Sequence, residues 1–176
     1  MTPGGPDGLS YESTSTQRRV VLAVAVAGVV LASICAGVAG MEWSSWQRGV
    51  VLFIAFDLVG GVAAMCLQPA IRKFRPPGEP LRPILFAAFH IHPLLLAFSL
   101  PGADGVALST VYLSGLIGTM LVTLMRVEFR ASAALAWCAI TLPIIALLDT
   151  LPGLEWIAPA FTLKLVGSHA VRREPS

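Results

Sequence analysis

Charge is scarce in this chain. Lys, Arg, Asp and Glu together make up 12% of 176 residues, against about a quarter in an ordinary soluble domain. With 56% hydrophobic residues and a mean hydropathy of +0.78, no solvated surface could enclose so much Val, Leu, Ala and Ile. Cysteine is nearly missing too. Cys35, Cys66 and Cys138 stand singly inside apolar runs with no CxxC spacing. That excludes a disulfide framework and a cysteine metal site, and a lone buried thiol behaves as a small hydrophobe. No phosphate loop, nucleophile elbow, HExxH or Asp-rich pair occurs. The missing Asp-rich pair argues against diphosphate ionisation chemistry. A net charge of +2, with its basic residues placed at loops, gives no reason to expect a nucleic-acid partner.

What is present is a series of apolar runs long enough to cross a bilayer, since a spanning helix takes about 20 residues. Residues 20–40, 49–68, 83–100, 106–125, 131–150 and 154–171 form six of them. The expected fold is therefore all-α, an integral membrane bundle of six transmembrane helices occupying residues 20–171. Residues 1–19, rich in Gly, Pro, Ser and Thr, are expected to be a disordered cytoplasmic tail, and 172–176 a second short one. The rival for the first run is a cleaved signal peptide, but the run exceeds the usual signal core of about 7–15 residues. Lys164, His169 and Pro159 interrupt the sixth run, and Pro159 is a candidate kink.

Basic residues set the orientation. Arg18, Arg19, Arg72, Lys73, Arg75, Arg82, Arg126, Arg130, Arg172 and Arg173 fall on one side, and Arg48 alone on the other. The positive-inside rule makes both termini cytoplasmic. Trp43, Trp46 and Trp156 then fall at the outer interface, where an aromatic belt is expected. The localisation expected is the cell membrane, multi-pass, with the lipid bilayer as the first partner.

Four ionisable side chains lie at mid-run: Asp57, His90, His92 and Lys164. A charge at that depth costs roughly 2.5–3.5 kcal/mol on insertion scales, so these groups are expected to pair or to work. Asp57 shares a helical face with Gly61, Ala64 and Gln68, and small residues allow another backbone to approach. It is expected to point inward, as a structural carboxylate or as a proton carrier or general acid. His90 and His92 sit in FHIHP. In a straight helix they would diverge by about 200°. Pro93 cannot donate to the Phe89 carbonyl and disfavours helix at His92, so a bend could turn both rings to one cavity and free a carbonyl for a water or cation. Lys164 has two placements open to it: inward pairing with Asp57, or snorkelling to the headgroups.

Tyr112, Ser114, Thr119 and Thr123 in the fourth run and Thr141 in the fifth are either helix-to-helix hydrogen bonders or pocket walls, with Tyr112 the most useful donor. Arg126, Glu128 and Arg130 read as a simple turn. Two histidines and a carboxylate are the parts of a facial iron site. Membrane iron enzymes need more histidines than this chain has, and a haem ligand would need a partner at equal depth, so no metal or cofactor is expected. Three function classes remain. One is acid–base chemistry on a lipophilic small molecule, with Asp57 as acid and His90 or His92 as base or orienting partner. The others are a small proton-coupled transporter and a non-catalytic structural or accessory membrane subunit.

Overall fold

The computed structural model describes residues 13–148 and 152–171, and every regular element in them is helical. In chain order these are α1 (Ser15–Val38), α2 (Ser45–Met65), α3 (Gln68–Phe74), α4 (Leu81–Phe89), α5 (His92–Ser99), α6 (Gly105–Leu124), α7 (Val127–Ala146), α8 (Ile157–Leu165) and a 3-10 turn (Gly167–Ala170). Five stretches are long and apolar enough to cross a membrane: α1, α2, the combined Leu81–Ser99, α6 and α7.

The first two helices start earlier than hydropathy alone places them, because polar side chains cap them. At α1, Gln17 N–H donates to Thr14 Oγ1 (3.2 Å) and Thr14 N–H to Gln17 Oε1 (3.0 Å). Ser44 and Gln47 repeat this capping box at α2. Residues 15–19 of the expected tail are thus helical, while residues 1–12 and 172–176 lie outside the described residues. The fifth apolar run begins at Val127 rather than 131, with Glu128 in its first turn, where a negative charge complements the helix dipole.

The sixth run departs most from expectation. Its α-helix holds nine residues and then tightens into the 3-10 turn, far short of a spanning helix. Pro159 falls in the first turn of α8, where its missing N–H breaks no bond and produces no kink. Burial explains why an irregular segment is tolerated. Ile157, Phe161, Lys164 and Leu165 are all at most 2% exposed, with α2, α6 and α7 packed around them. Backbone enclosed by protein is not bound by the demand for regular helix that lipid imposes. Gly153, before α8, lies against Ala36 and Cys35 near the end of α1, while Arg75 beyond α3 donates to the Ser168 carbonyl after α8 (2.7 Å). The segment therefore runs from one end of the bundle to the other.

Small residues set the closest helix approach. Ala25, Gly28 and Ala32 of α1 are buried, and a Cβ on Gly28 would lie 2.8 Å from Val59 Cγ2 and 3.0 Å from the Ala55 carbonyl. The rest of α1 presents Val20, Leu22, Val26, Val30 and Ile34 outward, as a lipid-facing helix does. Of the three tryptophans expected in a belt, Trp46 alone is exposed. Trp43 and Trp156 are buried, and the Trp156 indole N–H donates to the Gly153 carbonyl (3.0 Å).

Candidate functional site

α2 carries Asp57 at mid-helix, and α8 carries Lys164 against it. Lys164 Nζ donates to Asp57 Oδ2 (2.5 Å) and to the Asp57 carbonyl (3.2 Å). Lys164 is 2% exposed, so it pairs inward and does not snorkel. Room for its stem comes from Gly61, one turn along α2: a Cβ there would lie 2.7 Å from Lys164 Cδ.

The histidines arrive through a break in the third apolar stretch. Pro93 sits in the first turn of α5, and α4 stops before it. The freed carbonyls do not wait for water or a cation. Ile91 N–H donates to Phe89 O (2.9 Å), His90 N–H to Ala87 O (3.1 Å), and the Tyr112 hydroxyl to Ala88 O (2.9 Å). His90 Nδ1 lies 2.5 Å from Phe86 O, which requires the proton on Nδ1 and leaves Nε2 as the acceptor. With the helix interrupted, both rings turn to one side, their centroids 5.4 Å apart. His92 Nε2 lies 3.3 Å from Asp57 Oδ2.

Asp57, His90 and His92 thus share one space, each offering a donor atom within 4.8 Å of the others. That is the donor set of a facial metal site. Bonds of about 2.0–2.2 Å to a metal would need donors roughly 3–3.5 Å apart, closer than the widest of these. The position beside the carboxylate is already taken by the Lys164 ammonium, so the set as arranged is a hydrogen-bonded ionic cluster.

Both side-chain contacts to Asp57 run to Oδ2. Its side chain remains 37% exposed and lines a groove of about 390 Å3 between α1 and α2, with Leu22, Ala25, Phe56, Gly60 and Ala64 among its walls. A carboxylate paired on one side and open to an apolar groove on the other can exchange a proton with a molecule lodged there. No local pattern of residues hints at this groove, because it depends on how α1 leans on α2.

The supporting residues divide. Tyr112 acts on the site by holding the helix break, and its ring neighbours Phe161 of α8 (centroids 6.5 Å). Thr141 donates to its own helix at Trp137 O (2.7 Å). The Ser114 hydroxyl is buried with no hydrogen-bond partner among the described residues. Neither joins the cluster. Thr119 donates to Gly115 O (2.8 Å) and reaches Leu165 O (3.4 Å), the helix-to-helix role expected of it. Comparison with family models, with characterised proteins and with solved structures finds no match, so the chemistry of this chain is read from its own geometry.

Proposed function

We propose that this is a multi-pass membrane protein whose Asp57–His92–Lys164 cluster performs acid–base chemistry on a lipophilic substrate. The substrate enters sideways from the bilayer into the groove between α1 and α2. Asp57 exchanges the proton with the substrate, His92 receives or returns it at Nε2, and His90 orients the pair. Lys164 holds the carboxylate in position through two hydrogen bonds. One observation carries the reading: Asp57 is anchored inward at Oδ2 while its side chain still faces an apolar groove. A purely structural pair has no use for that opening. Ionisable groups inside membranes are functional by default, and a positioned carboxylate within reach of imidazole is the apparatus of general acid–base catalysis.

The companion proposal is topological: six crossings of the cell membrane, both termini cytoplasmic, with residues 154–171 as the sixth. It is supported by ten basic residues against one on the two sides and by the end-to-end course of the segment from Gly153 to Ser168. Reporter fusions at either terminus that read external would sink it.

The site is tested with Asp57→Asn. Asparagine keeps size and hydrogen-bonding reach but cannot carry the carboxyl proton. The chain is purified in detergent, co-purifying lipophilic molecules are identified by mass spectrometry, and their conversion is assayed. The expected result is a folded variant that retains the bound molecule and no longer converts it. Full conversion by well-folded Asp57→Asn protein would leave only a packing role, a reading favoured by the complete burial of Lys164.

A further inference from the structure

The basic end of the bundle holds a second cluster, built from different elements than the Asp57 site. A cavity of about 250 Å3 is lined by Arg75 after α3, Thr123 of α6, Arg130 of α7 and His169 of the 3-10 turn, with Glu79 and Gly78 of the exposed loop at its mouth. Each arginine is fixed by backbone carbonyls. Arg75 donates to Ser168 O (2.7 Å) and Met65 O (2.8 Å), and Arg130 to Met125 O (3.0 Å) and Thr123 O (2.7 Å). Each guanidinium has five N–H donors, so three on each remain.

Neither arginine has a carboxylate partner among the described residues. Glu79 in the cavity wall is paired with Arg82 (2.7 Å), and nearby Glu128 with Arg126 (2.6 Å). Burial lowers the Arg75 pKa to about 10, the mark of a charge short of compensation. Around the same space, Arg75 Nε, Thr123 Oγ1 and both ring nitrogens of His169 are buried without a hydrogen-bond partner among the described residues. Thr123 is 3% and His169 8% exposed. The carbonyls of Leu165 and Val166 lie near the His169 ring but not in hydrogen-bonding geometry. Buried polar atoms are normally satisfied. Among these orphans the Arg75 Nε–H, the Thr123 hydroxyl and one imidazole N–H of His169 are donors, and their residues line one cavity together with Arg130, an arrangement that calls for a shared acceptor.

We infer that this cavity binds a phosphate group. A tetrahedral anion presents acceptors in several directions at once, and guanidinium forks match phosphate oxygens in pairs. The Thr123 hydroxyl and a His169 N–H supply further donors. The phosphate has two sources consistent with a site at a membrane end: a lipid headgroup, or free phosphate from solution. The inference stands independently of the Asp57 chemistry.

The test uses the full chain. In detergent it is titrated with inorganic phosphate against sodium chloride of equal ionic strength, with melting temperature as readout. In parallel it is reconstituted in phosphatidylcholine nanodiscs with and without phosphatidic acid. A saturable rise with inorganic phosphate assigns free phosphate, and a rise with phosphatidic acid alone assigns the headgroup. Arg75→Gln should abolish either response, but it also frees two carbonyls and is liable to unfold. Thr123→Val and His169→Leu remove groups that have no hydrogen-bond partner among the described residues, so both should fold as well as the parent, and each should weaken binding roughly tenfold. The inference is overturned if the parent responds to neither probe, or if Thr123→Val and His169→Leu respond as the parent does.

Discussion

Lys164 Nζ reaches Asp57 Oδ2 at 2.5 Å through a gap that exists because residue 61 has no side chain. A methyl group on Gly61 would collide with Lys164 Cε and lie 2.8 Å from Nζ. Gly61→Ala is therefore expected to dislodge the ammonium and to destabilise the protein by about 1–3 kcal/mol, the usual range for overpacking. Gly37, with nothing within 4 Å of its Cβ position, is the control. Gly37→Ala should be neutral or gain up to about 1 kcal/mol from helix propensity. Thermal melts of the two variants in one detergent decide this. Equal melting temperatures would mean that Lys164 repositions freely and the gap has no structural importance.

Removing one member of the ion pair should hurt more than removing both. Lys164→Met leaves the Asp57 carboxylate without its cation. Breaking a fully buried pair costs about 3–5 kcal/mol, and the 37% exposure of the Asp57 side chain brings the expectation down to roughly 1–3 kcal/mol. The double variant Asp57→Asn/Lys164→Met removes both charges and should regain most of that loss. A double-mutant cycle on melting temperature reads the coupling directly, and strictly additive losses would show that the two charges do not support each other.

Much of this is legible in the sequence. Asp57, with Gly61 and Ala64 on its face, pointed inward from spacing alone, and Pro93 announced the interruption that brings His90 and His92 together. Local chemistry carries such signals. What stayed hidden depends on non-local packing. Hydropathy cannot distinguish a lipid-facing helix from a buried one, so residues 154–171 looked like another long span instead of nine helical residues and a 3-10 turn. Lys164 had two placements because nothing in its own neighbourhood says which helix stands opposite. Arg75, Arg130, Thr123 and His169 are scattered over the sequence, and their convergence cannot be seen from any one segment. Capping is a different case: Thr14 with Gln17 and Ser44 with Gln47 are plain in the sequence but lie outside the apolar runs that set the expected boundaries.

Tyr112 is expected to matter where Ser114 and Thr141 do not. Its hydroxyl satisfies the Ala88 carbonyl (2.9 Å), which the helix break strips of its usual donor. Tyr112→Phe strands that carbonyl at a cost of about 1–3 kcal/mol and loosens the segment that carries both histidines. Among the described residues Thr141 bonds only to its own helix and the Ser114 hydroxyl has no partner, so Thr141→Val and Ser114→Ala should stay within roughly 0.5 kcal/mol of the parent. Substrate conversion should follow the same division. Loss of conversion in Thr141→Val with an intact fold would place Thr141 in the pocket after all.

Pro93→Ala tests whether the break itself makes the site. Alanine restores an N–H that can donate to the Phe89 carbonyl and removes the ring that crowds the preceding turn. A continuous helix from Leu81 to Ser99 then becomes accessible, with two amides at 92 and 93 bonding back to Ala88 and Phe89 and displacing Tyr112 from its acceptor. In that helix residues 90 and 92 project about 200° apart, so at most one imidazole can face Asp57. Stability is expected to hold or rise, because a regular helix replaces side-chain caps, while conversion of the bound lipophile falls sharply. Amide hydrogen exchange across 88–95 reads the straightening, and the conversion assay reads its consequence. Slow exchange at position 93 together with lost conversion is the expected pair of results. Straightening with full conversion would show that the His90–His92 pairing is dispensable and that Asp57 and Lys164 suffice. An unstraightened, active Pro93→Ala protein would locate the cause of the break in the Tyr112 and His90 hydrogen bonds, and Pro93→Ala/Tyr112→Phe should then release it.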